Sequence, residues 1–377
     1  MRNYDVVVVG LGAMGSAALY SLAQRGRRVI GIDRFEPGHH LGSSYGESRI
    51  IRMAYYEDPV YVPLLRLAYA AWERLESHTG EHILTITGIL EAGIEGSALV
   101  EGSLRSARQH EIPHEVLLPG QVNKRFPAFS IPPDWQCVFQ PDAGILEPEK
   151  AINLFVKSAR DLGATVALGT RVKSVLPVGD HVEVHLESGE IIEAGSTVLA
   201  VGPWIQELVP ELGSNMRLTR QSLMWFEPQE RPLVRPQSMP VFFFHPRDDL
   251  IYGFPDFRGS GVKAASHLSG GDLTSADETR AEVSDEEKAH LKRMLSRYVP
   301  AAAGRVRQTH VCIYTRSSDE HFVLGLHPSA SQIVLASPCS GHGFKFASIF
   351  GEVLADLAMT RETDKPIDFF RPSRLIG

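Results

Sequence analysis

The amino-terminal pattern begins with a run of β-branched residues and continues with a helical one. Residues 4–9 (YDVVVV) have the composition of a strand buried on both faces of a parallel sheet. Residues 16–24 (SAALYSLAQ) are good helix formers, and Gly26 follows where a helix would end. Residues 28–33 (RVIGID) predict a second strand. Together these segments predict one βαβ unit of about thirty residues.

Helical and strand patterns continue through the middle of the chain. Residues 60–76 and 147–162 have the amphipathic spacing of helices, and Pro148 stands near the start of the second. The segments with strand patterns are residues 83–91, 116–118, 165–186 with a hairpin signal at 178–180, and 196–202. In the first two of these segments apolar and polar residues alternate, which indicates strands of a sheet other than the one that begins at residues 4–9.

The chain changes character at about residue 217. Phe, Tyr, Pro and Gly are frequent up to residue 311, which predicts antiparallel strands and loops around a helix at 282–298. A strand at 333–336 and a helix at 346–359 then restore the earlier pattern. We predict an α/β fold with a Rossmann-type domain and a second α+β domain that contains a mainly antiparallel sheet. The first domain is assigned residues 1–85, 145–215 and 311–377, and the second residues 86–144 and 216–310.

Composition narrows the class of protein. The 377 residues are 43% hydrophobic and 22% charged, which is typical of a globular protein. The net charge of -7, without a block of like charge, argues against a nucleic-acid partner. The chain has three cysteines, an odd number, and they are widely spaced: Cys137, Cys312 and Cys339. We therefore predict neither a disulfide framework nor a metal site. Free thiols are typical of a reducing compartment.

One uncharged segment, residues 6–23, has the length of a membrane span or signal peptide. Asp5 precedes it in place of a basic cluster, three glycines interrupt it, and no small-residue cleavage site follows. A strand, a glycine turn and a helix account for it better. We therefore expect no membrane partner and a cytoplasmic location.

The glycine turn has the spacing of a dinucleotide-binding motif. Gly10 allows a tight turn, Gly12 lets the backbone approach a pyrophosphate, and Gly15 lets the helix pack on the strand. Asp33 ends the next strand, where it can accept hydrogen bonds from a ribose diol. The alternative is a purely structural turn, and the motif alone does not separate FAD from NAD.

A second glycine turn follows the predicted strand at 333–336. Gly341 and Gly343 leave the backbone free to approach a ligand, and Lys345 opens an otherwise apolar helix. A cation there is unfavourable without a partner, so either an anionic ligand binds it or it reaches solvent. By composition alone, Cys312 is better explained as a buried structural thiol.

Basic residues in uncharged surroundings supply further candidates. Arg49 and Arg52 bracket two isoleucines, so at least one guanidinium is expected to turn inward. It would bind either a substrate carboxylate or a structural Asp or Glu. Lys263 and His267 lie an even number of residues apart and share one face of a predicted strand. That face is either a site or an ordinary half-exposed surface.

Over almost its whole length the chain resembles the monomeric sarcosine oxidase and N-methyltryptophan oxidase family. In chain order, the resemblance rests on YDVVVVGLGAMGSAA, GESRIIRMAYYEDPVYVPL, DAGILEPEKA, AVGPW, IYGFPDF, GVKAASH, CIYTRSSDEHF and SGHGFKFAS. It implies an FAD-dependent oxidase of N-methyl amino acids, working as a monomer with dioxygen as acceptor. Hydride transfer to the flavin, iminium hydrolysis to formaldehyde and formation of hydrogen peroxide are the implied steps.

The resemblance also implies roles for individual residues. Cys312 matches the cysteine that carries FAD through a thioether, and Lys263 matches the lysine that promotes dioxygen reduction. Arg52 and Lys345 match the pair that holds the substrate carboxylate. The residues implied to line the substrate cavity are Tyr252, His267, Tyr314 and His342, of which His267 and Tyr252 join Lys263 and Arg49 as catalytic candidates. The expected cofactor-binding residues are Gly10, Gly12, Gly15, Asp33, Arg34, Ser43, Ser48, Arg49, Val172, Cys312, Gly341, Gly343 and Lys345.

Three segments depart from the family pattern: residues 337–339 (SPC), 242–245 (FFFH) and 264–266 (AAS). Cys339 is therefore expected near the cofactor, and the remaining two segments are expected to reshape the amine side of the pocket. A larger secondary amine, such as N-methyltryptophan, a fructosyl amino acid or pipecolate, is an alternative substrate. A dehydrogenase with a non-oxygen acceptor and a non-catalytic flavin-binding subunit also stay open as functions.

Overall fold

The computed structural model describes residues 4–247, 249–267, 270–278, 280–337 and 339–376. A mixed eight-stranded sheet forms the first layer. Its five parallel strands are, in spatial order, Thr165–Ala167, Val29–Ile32, Tyr4–Val9, Ile191–Leu199 and Ala330–Ala336. The hairpin Val172–Val178 and His181–Leu186 extends the sheet beside Ile191–Leu199, and Leu324–His327 runs antiparallel to the last strand.

Helices cover this sheet because their apolar faces match its buried strands. The helices Ala13–Gln24, Pro148–Asp161 and Ala347–Thr360 pack together, with Val62–Thr79 behind the last of them. Leu22, Phe155 and Phe350 are among the side chains of the resulting core. Burial of such side chains stabilises the fold by about 1.5–3 kcal/mol each. The layer is therefore fixed well enough to position loops at the carboxyl ends of its strands.

A nine-stranded, mainly antiparallel sheet forms the second layer. Its strands are Ile89–Ile94, Glu115–Leu117, Trp135–Gln140, Met216–Phe226, Val241–His245, Ile251–Phe254, Val262–Ser266, Asp272–Leu273 and Val306–Ser317. The contact between Ile89–Ile94 and Val241–His245 is parallel. One face packs on the helix Asp285–Tyr298 through Phe242, Phe244 and Leu295. The smaller elements are the sheet Arg49–Ile51, Leu84–Ile86 and Gly144–Leu146, and the helices Ala98–Gln109, Pro119–Arg125 and Ile205–Leu208.

The predicted α/β architecture with a second, antiparallel sheet is confirmed. Thr165–Ala167 pairs in parallel with Val29–Ile32, although the sequence grouped it with the neighbouring hairpin. Val306–Ser317 pairs along its length with Met216–Phe226. The domain boundary placed at residue 311 thus falls inside one continuous strand, because hydrogen bonds across the sheet extend further than the local change of composition indicated.

The uncharged segment 6–23 is divided between the strand Tyr4–Val9 and the helix Ala13–Gln24, as expected. Within the part of the chain that the structure describes, no helix combines the length and apolarity needed to cross a bilayer.

Candidate active site

A long cavity begins at the carboxyl ends of the parallel strands and continues beneath the second sheet. Gly10 and Asp33 line one end, Arg52 and Lys345 line the other, and Cys312 lies between them. Loops after parallel strands meet at one edge of a sheet, which is where nucleotides bind in such folds. Almost every residue predicted for the site lines this cavity, from segments far apart in sequence.

The glycine turn forms a cradle at the first end. Gly10 has a φ of +88°, and a Cβ added there would lie 2.6 Å from the carbonyl oxygen of Ala200. A Cβ on Gly15 would overlap the carbonyl oxygen of Gly10, so Gly15 allows the helix to pack closely against the turn. Gly15 does not line the cavity. A Cβ on Gly12 would meet nothing within 4 Å and would project into open cavity space.

Asp33 fixes this cradle to the second strand. Its carboxylate accepts hydrogen bonds from the backbone N–H of Leu11 at 2.5 Å and of Phe35 at 2.8 Å. Burial raises the pKa of Asp33, although these bonds oppose the shift. Each carboxylate oxygen keeps a lone pair for a further donor, such as a ribose hydroxyl. Arg34 also lines the cavity, but its guanidinium pairs with Asp277 at 2.7 Å.

Cys312 lies in the middle of the cavity, on the strand Val306–Ser317. It is 2% exposed, and its Sγ lies 3.5 Å from the carbonyl oxygen of Ser43. Cys339 lines the same cavity next to Gly343, on which a Cβ would lie 2.9 Å from the Cys339 Sγ. Burial raises the pKa of Cys339 to about 12. Cys339 thus lines the cavity, and its nearness to the cofactor stays a prediction, while Pro338 lies outside the described residues.

A loop at residues 43–48 is held from two sides by cations. The Arg49 guanidinium donates to the carbonyl oxygens of Ser43, Tyr45 and Ser48, each at 2.8 Å. Lys263 Nζ donates to the carbonyl oxygens of Gly46 at 2.6 Å and Ser48 at 2.8 Å. Burial, followed by the charge of Arg49, lowers the pKa of Lys263 well below its usual range. This amine therefore lies in the cavity wall with neutral acceptors in its hydrogen bonds.

Arg52 and Lys345 flank the ring of Tyr55 at the far end. The Arg52 guanidinium lies 4.4 Å and the Lys345 Nζ 5.0 Å from the ring centroid. Arg52 is paired with Glu57 at 2.7 Å and lies 3.6 Å from Glu91. Burial by itself would lower the pKa of Arg52, but the negative charges of the two carboxylates outweigh it and raise this pKa. The sequence left open a structural ion pair or a ligand, and the structure shows the ion pair at a position that also lines the cavity.

Lys345 has a different environment from Arg52. Its Nζ donates to the carbonyl oxygen of His342 at 2.7 Å and to the Tyr55 hydroxyl at 3.2 Å, both neutral groups. Burial, followed by the charge of Arg52, lowers the pKa of Lys345 to about 7. An anion in the cavity would relieve this unfavourable burial of charge.

The wall between the two ends is aromatic. The Tyr314 hydroxyl lies 3.4 Å from the Tyr252 hydroxyl and 3.5 Å from His267 Nδ1. His342 Nδ1 lies 2.7 Å from the Tyr55 hydroxyl. Burial lowers the pKa of His267 to about 4 and that of His342 to about 3, so both rings are neutral at pH 7. The Tyr314 ring fits against Gly341, where a Cβ would lie 2.6 Å from the ring.

The segments that depart from the family pattern differ in whether their residues line the cavity. Phe243 lines the cavity, whereas Phe242 and Phe244 alternate into the core of the second sheet. Residues 264–266 do not line the cavity, because Ala264 is in that core and the Ser266 hydroxyl donates to Asp249. Ala265 packs behind the cavity residues Leu223, Cys312 and Tyr252, so the expectation that this second segment reshapes the amine side of the pocket stays a prediction. Tyr55 and Glu57 are further cavity-end residues that the sequence did not predict; the need of a buried Arg52 for a nearby carboxylate was the available signal.

A glycine cradle that continues into a cation-lined, aromatic pocket is typical of an oxidoreductase that binds a dinucleotide cofactor. The family model for FAD dependent oxidoreductases matches residues 5–357. Monomeric sarcosine oxidase from Streptomyces avermitilis is 37% identical over 99% of this chain and 98% of its own, and N-methyl-L-tryptophan oxidase from Yersinia pestis is 31% identical over 99% of each. The chain therefore belongs to the FAD dependent oxidoreductases, in the group that includes these two enzymes.

Solved structures agree at the level of the fold. The open form of NikD, described as an unusual amino acid oxidase essential for nikkomycin biosynthesis, gives a TM-score of 0.87 at 25% identity, covering 99% of this chain and 98% of NikD. Glycine oxidase from Geobacillus kaustophilus gives 0.83 at 20% identity over the full length of both chains. The two layers thus follow an established arrangement.

The residues present fit FAD. The cradle leaves an open face at Gly12, the helix Ala13–Gln24 begins directly behind it, and Asp33 offers acceptor atoms beside it. Helix amino-termini and open glycine backbone are the groups that bind a pyrophosphate. Val172 lines the cavity near this end, and the cavity continues past Cys312 towards Tyr252. It therefore offers a place for each part of an extended dinucleotide.

Alanine at the two glycines of the cradle is expected to have different effects. Gly12→Ala should change the free energy of unfolding by less than about 0.5 kcal/mol, because its Cβ meets no atom of the fold. It should weaken FAD binding by about tenfold or more, or about 1.4 kcal/mol. Gly15→Ala should destabilise the fold by about 1–3 kcal/mol through overpacking. Denaturant titration and FAD titration of apoprotein that also carries Cys312→Ser, which excludes a covalent bond to the cofactor, measure both quantities. Equal effects of the two glycine variants on unfolding would contradict this assignment.

Proposed function

We propose that this protein is an FAD-dependent oxidase of small N-substituted amino acids, with N-methyl amino acids such as sarcosine or N-methyltryptophan as its substrates. The observation that carries the proposal is the placement of Arg52 and Lys345 in the same cavity as Cys312 and Lys263. This arrangement offers cations for a substrate carboxylate, a thiol for the cofactor and an ammonium for dioxygen. The names of the sequence relatives support the same reaction class.

Bound FAD supplies the two-electron chemistry, in which the substrate C–N bond is oxidised to an iminium, water releases formaldehyde from an N-methyl group, and dioxygen is reduced to hydrogen peroxide. The contribution of the chain is to bind and orient the reactants. Lys345 donates to neutral oxygens, so its charge is free to bind a carboxylate. Arg52 lies beside it and would share its guanidinium between Glu57 and that carboxylate.

The aromatic wall positions the amine. Because His267 is neutral at pH 7, its ring can accept a hydrogen bond from the amine N–H and favour the uncharged amine. Tyr252 and Tyr314 keep their hydroxyl protons, since burial raises the pKa of both. Phe243 packs edge-on against His267, with ring centroids 5.8 Å apart, and excludes water from this side. These residues hold the carbon next to nitrogen towards the middle of the cavity.

Two residues on the cofactor side of the cavity have proposed roles of their own. Cys312 is proposed as the point of a thioether to FAD. Lys263 is proposed to stabilise negative charge on dioxygen in its protonated form, which that developing charge favours against the effect of burial on the Lys263 pKa. Arg49, Ser43 and Ser48 build the loop against which the isoalloxazine ring would lie. The division into an FAD-binding and a substrate domain, monomeric action and a cytoplasmic location belong to the same proposal, which the name of the sarcosine oxidase relatives supports for the monomer.

An oxygen-electrode screen of N-alkyl amino acids on the purified yellow protein tests the proposal. We expect oxygen uptake with equimolar hydrogen peroxide for at least one N-methyl amino acid. Turnover with an artificial dye under nitrogen but none in air would identify a dehydrogenase. Activity confined to fructosyl amino acids or pipecolate would replace the substrate assignment while leaving the reaction class intact.

The carboxylate-binding pair makes a pH-dependent prediction. Lys345 is charged below its pKa of about 7 and loses this charge as the pH rises. The dissociation constant of a small carboxylate such as propionate should therefore be level below about pH 7 and increase above it. Lys345→Met should abolish this dependence, and Lys345→Ala or Arg52→Ala should weaken binding by about 2–5 kcal/mol. Spectral titration measures the constants, and a flat wild-type profile between pH 6 and 9 would refute the role of Lys345.

A further inference from the structure

A row of side chains extends beyond the substrate pocket. Cys312, Tyr314 and Arg316 alternate on the strand Val306–Ser317 and therefore share one of its faces. Successive members of such a row are about 7 Å apart. Cys312 and Tyr314 line the cavity. Arg316 is thus the next side chain outward from the pocket along the same row.

Arg316 does not itself line the cavity, but it contacts two residues that do, His267 and Tyr314. Its Nη2 donates to the carbonyl oxygen of His267 at 3.2 Å, and its guanidinium lies 5.5 Å from the centre of the Tyr314 ring. Burial is the main cause that lowers the pKa of His267, and the charges of Arg316 and Arg52 lower it further. Two cations therefore act on His267, Arg52 at the proposed carboxylate site and Arg316 next to Tyr314.

The guanidinium of Arg316 is incompletely satisfied. The residue is 9% exposed, and its buried Nε finds no acceptor in the part of the chain that the structure describes. A buried donor without a partner is unfavourable by about 1–3 kcal/mol. An additional acceptor, such as the second oxygen of a planar carboxylate, would satisfy it, because a guanidinium binds carboxylates through paired N–H groups.

The present counter-ion of Arg316 can be exchanged. Glu320 accepts from Arg316 Nη1 at 2.6 Å, but its side chain is 63% exposed. Glu320 also has a φ of +59°, a region that is unfavourable for a residue with a side chain. An exposed carboxylate is well solvated and contributes little as an ion-pair partner. It can turn into solvent when another anion reaches the guanidinium, whereas its backbone remains 3.1 Å from His342 Nε2.

We propose that Arg316 forms a second anion subsite, so that the preferred substrates are N-alkyl amino acids with a second carboxylate. This inference rests on the proposed function and specifies its substrate class. Arg52 and Lys345 would bind the α-carboxylate, and Arg316 the second acid, with Glu320 as the internal competitor for that position. Acids and their uncharged amides of the same shape should then bind with different strengths.

Binding to the holoenzyme under nitrogen tests the subsite without relying on turnover. Because N-methyl amino acids would reduce the flavin even without dioxygen, the probes are their amine-free analogues succinate and glutarate, each compared with its monoamide by titration calorimetry. We expect at least one acid to bind about tenfold or more tightly than its amide, the size expected for one charged hydrogen-bonded pair. Arg316→Met should reduce this ratio to about one, and Arg316→Lys should restore part of it.

Two further variants distinguish a role of Arg316 in binding from a general effect on folding. Glu320→Ala removes the competitor and should increase the acid-to-amide ratio, a change opposite to that from loss of folding. Arg307→Met is the matched control, because Arg307 lies on the same strand in a partly exposed pair with Glu227 and should leave the ratio unchanged. A wild-type ratio of about one, or a ratio that Arg316→Met leaves unchanged, would overturn the inference. Oxidation of sarcosine alongside such a result would leave the proposed function standing, while absence of all amine oxidation would remove the proposed function itself.

Discussion

Replacement of Lys263 by methionine is expected to slow reoxidation of the reduced enzyme by dioxygen by about 10²–10³-fold. Methionine keeps the length and volume of the side chain but removes the charge that would stabilise developing superoxide. The rate of reduction by substrate should change far less, since Lys263 lies with Gly46 and Ser48, away from the proposed carboxylate pair. Stopped-flow absorbance separates the two rates when substrate and dioxygen are mixed in separate experiments.

The hydrogen bonds of Lys263 require a control, because their loss can loosen the loop at residues 43–48. Serine at Lys263 would remove charge and packing together, so methionine is the sharper variant. Lys173→Met serves as the comparison, since Lys173 is exposed on the strand Val172–Val178. If Lys263→Met slows reduction and reoxidation equally, its assignment to dioxygen is incorrect and a structural role replaces it.

Cys312→Ser is expected to convert covalently attached FAD into FAD that dissociates when the protein is denatured. Acid-precipitated wild-type protein should stay yellow because a thioether survives denaturation, whereas the variant should release its FAD into the supernatant. The serine hydroxyl occupies nearly the same space between Ser43 and the cavity, so folding should be little affected. Absorbance of pellet and supernatant, with mass spectrometry of the intact chain, measures the attached fraction.

Cys339 and Cys137 provide matched controls for this experiment. The thiolate is the reactive form of cysteine, and burial raises the pKa of both residues to about 12. Cys339→Ser and Cys137→Ser should therefore keep the attached cofactor. A colourless wild-type pellet would contradict covalent attachment, and loss of attachment in Cys339→Ser alone would move the attachment point to the neighbouring glycine turn.

Local sequence patterns determined the elements that begin the fold. The β-branched run, the spaced glycines and the helix formers of residues 4–33 specify a βαβ unit, because each is a short-range preference that tertiary contacts reinforce. The same holds for the helices Pro148–Asp161 and Asp285–Tyr298, whose ends lie within three residues of the prediction. Gly10, Gly12 and Asp33 were identified as site candidates for the same reason, since a turn and its neighbouring strand ends carry the whole signal.

Tertiary structure decided what local patterns left open. Arg52 was compatible with a structural carboxylate or a ligand, and only the folded chain places it against Glu57 while also exposing it to the cavity. Phe243 differs from its neighbours in facing the pocket because strand alternation acts only once the register of the second sheet is fixed. Lys263 meets Gly46 and Ser48 across more than two hundred residues of chain. Such contacts depend on how distant segments pack, and spacing along the sequence carries no information about them.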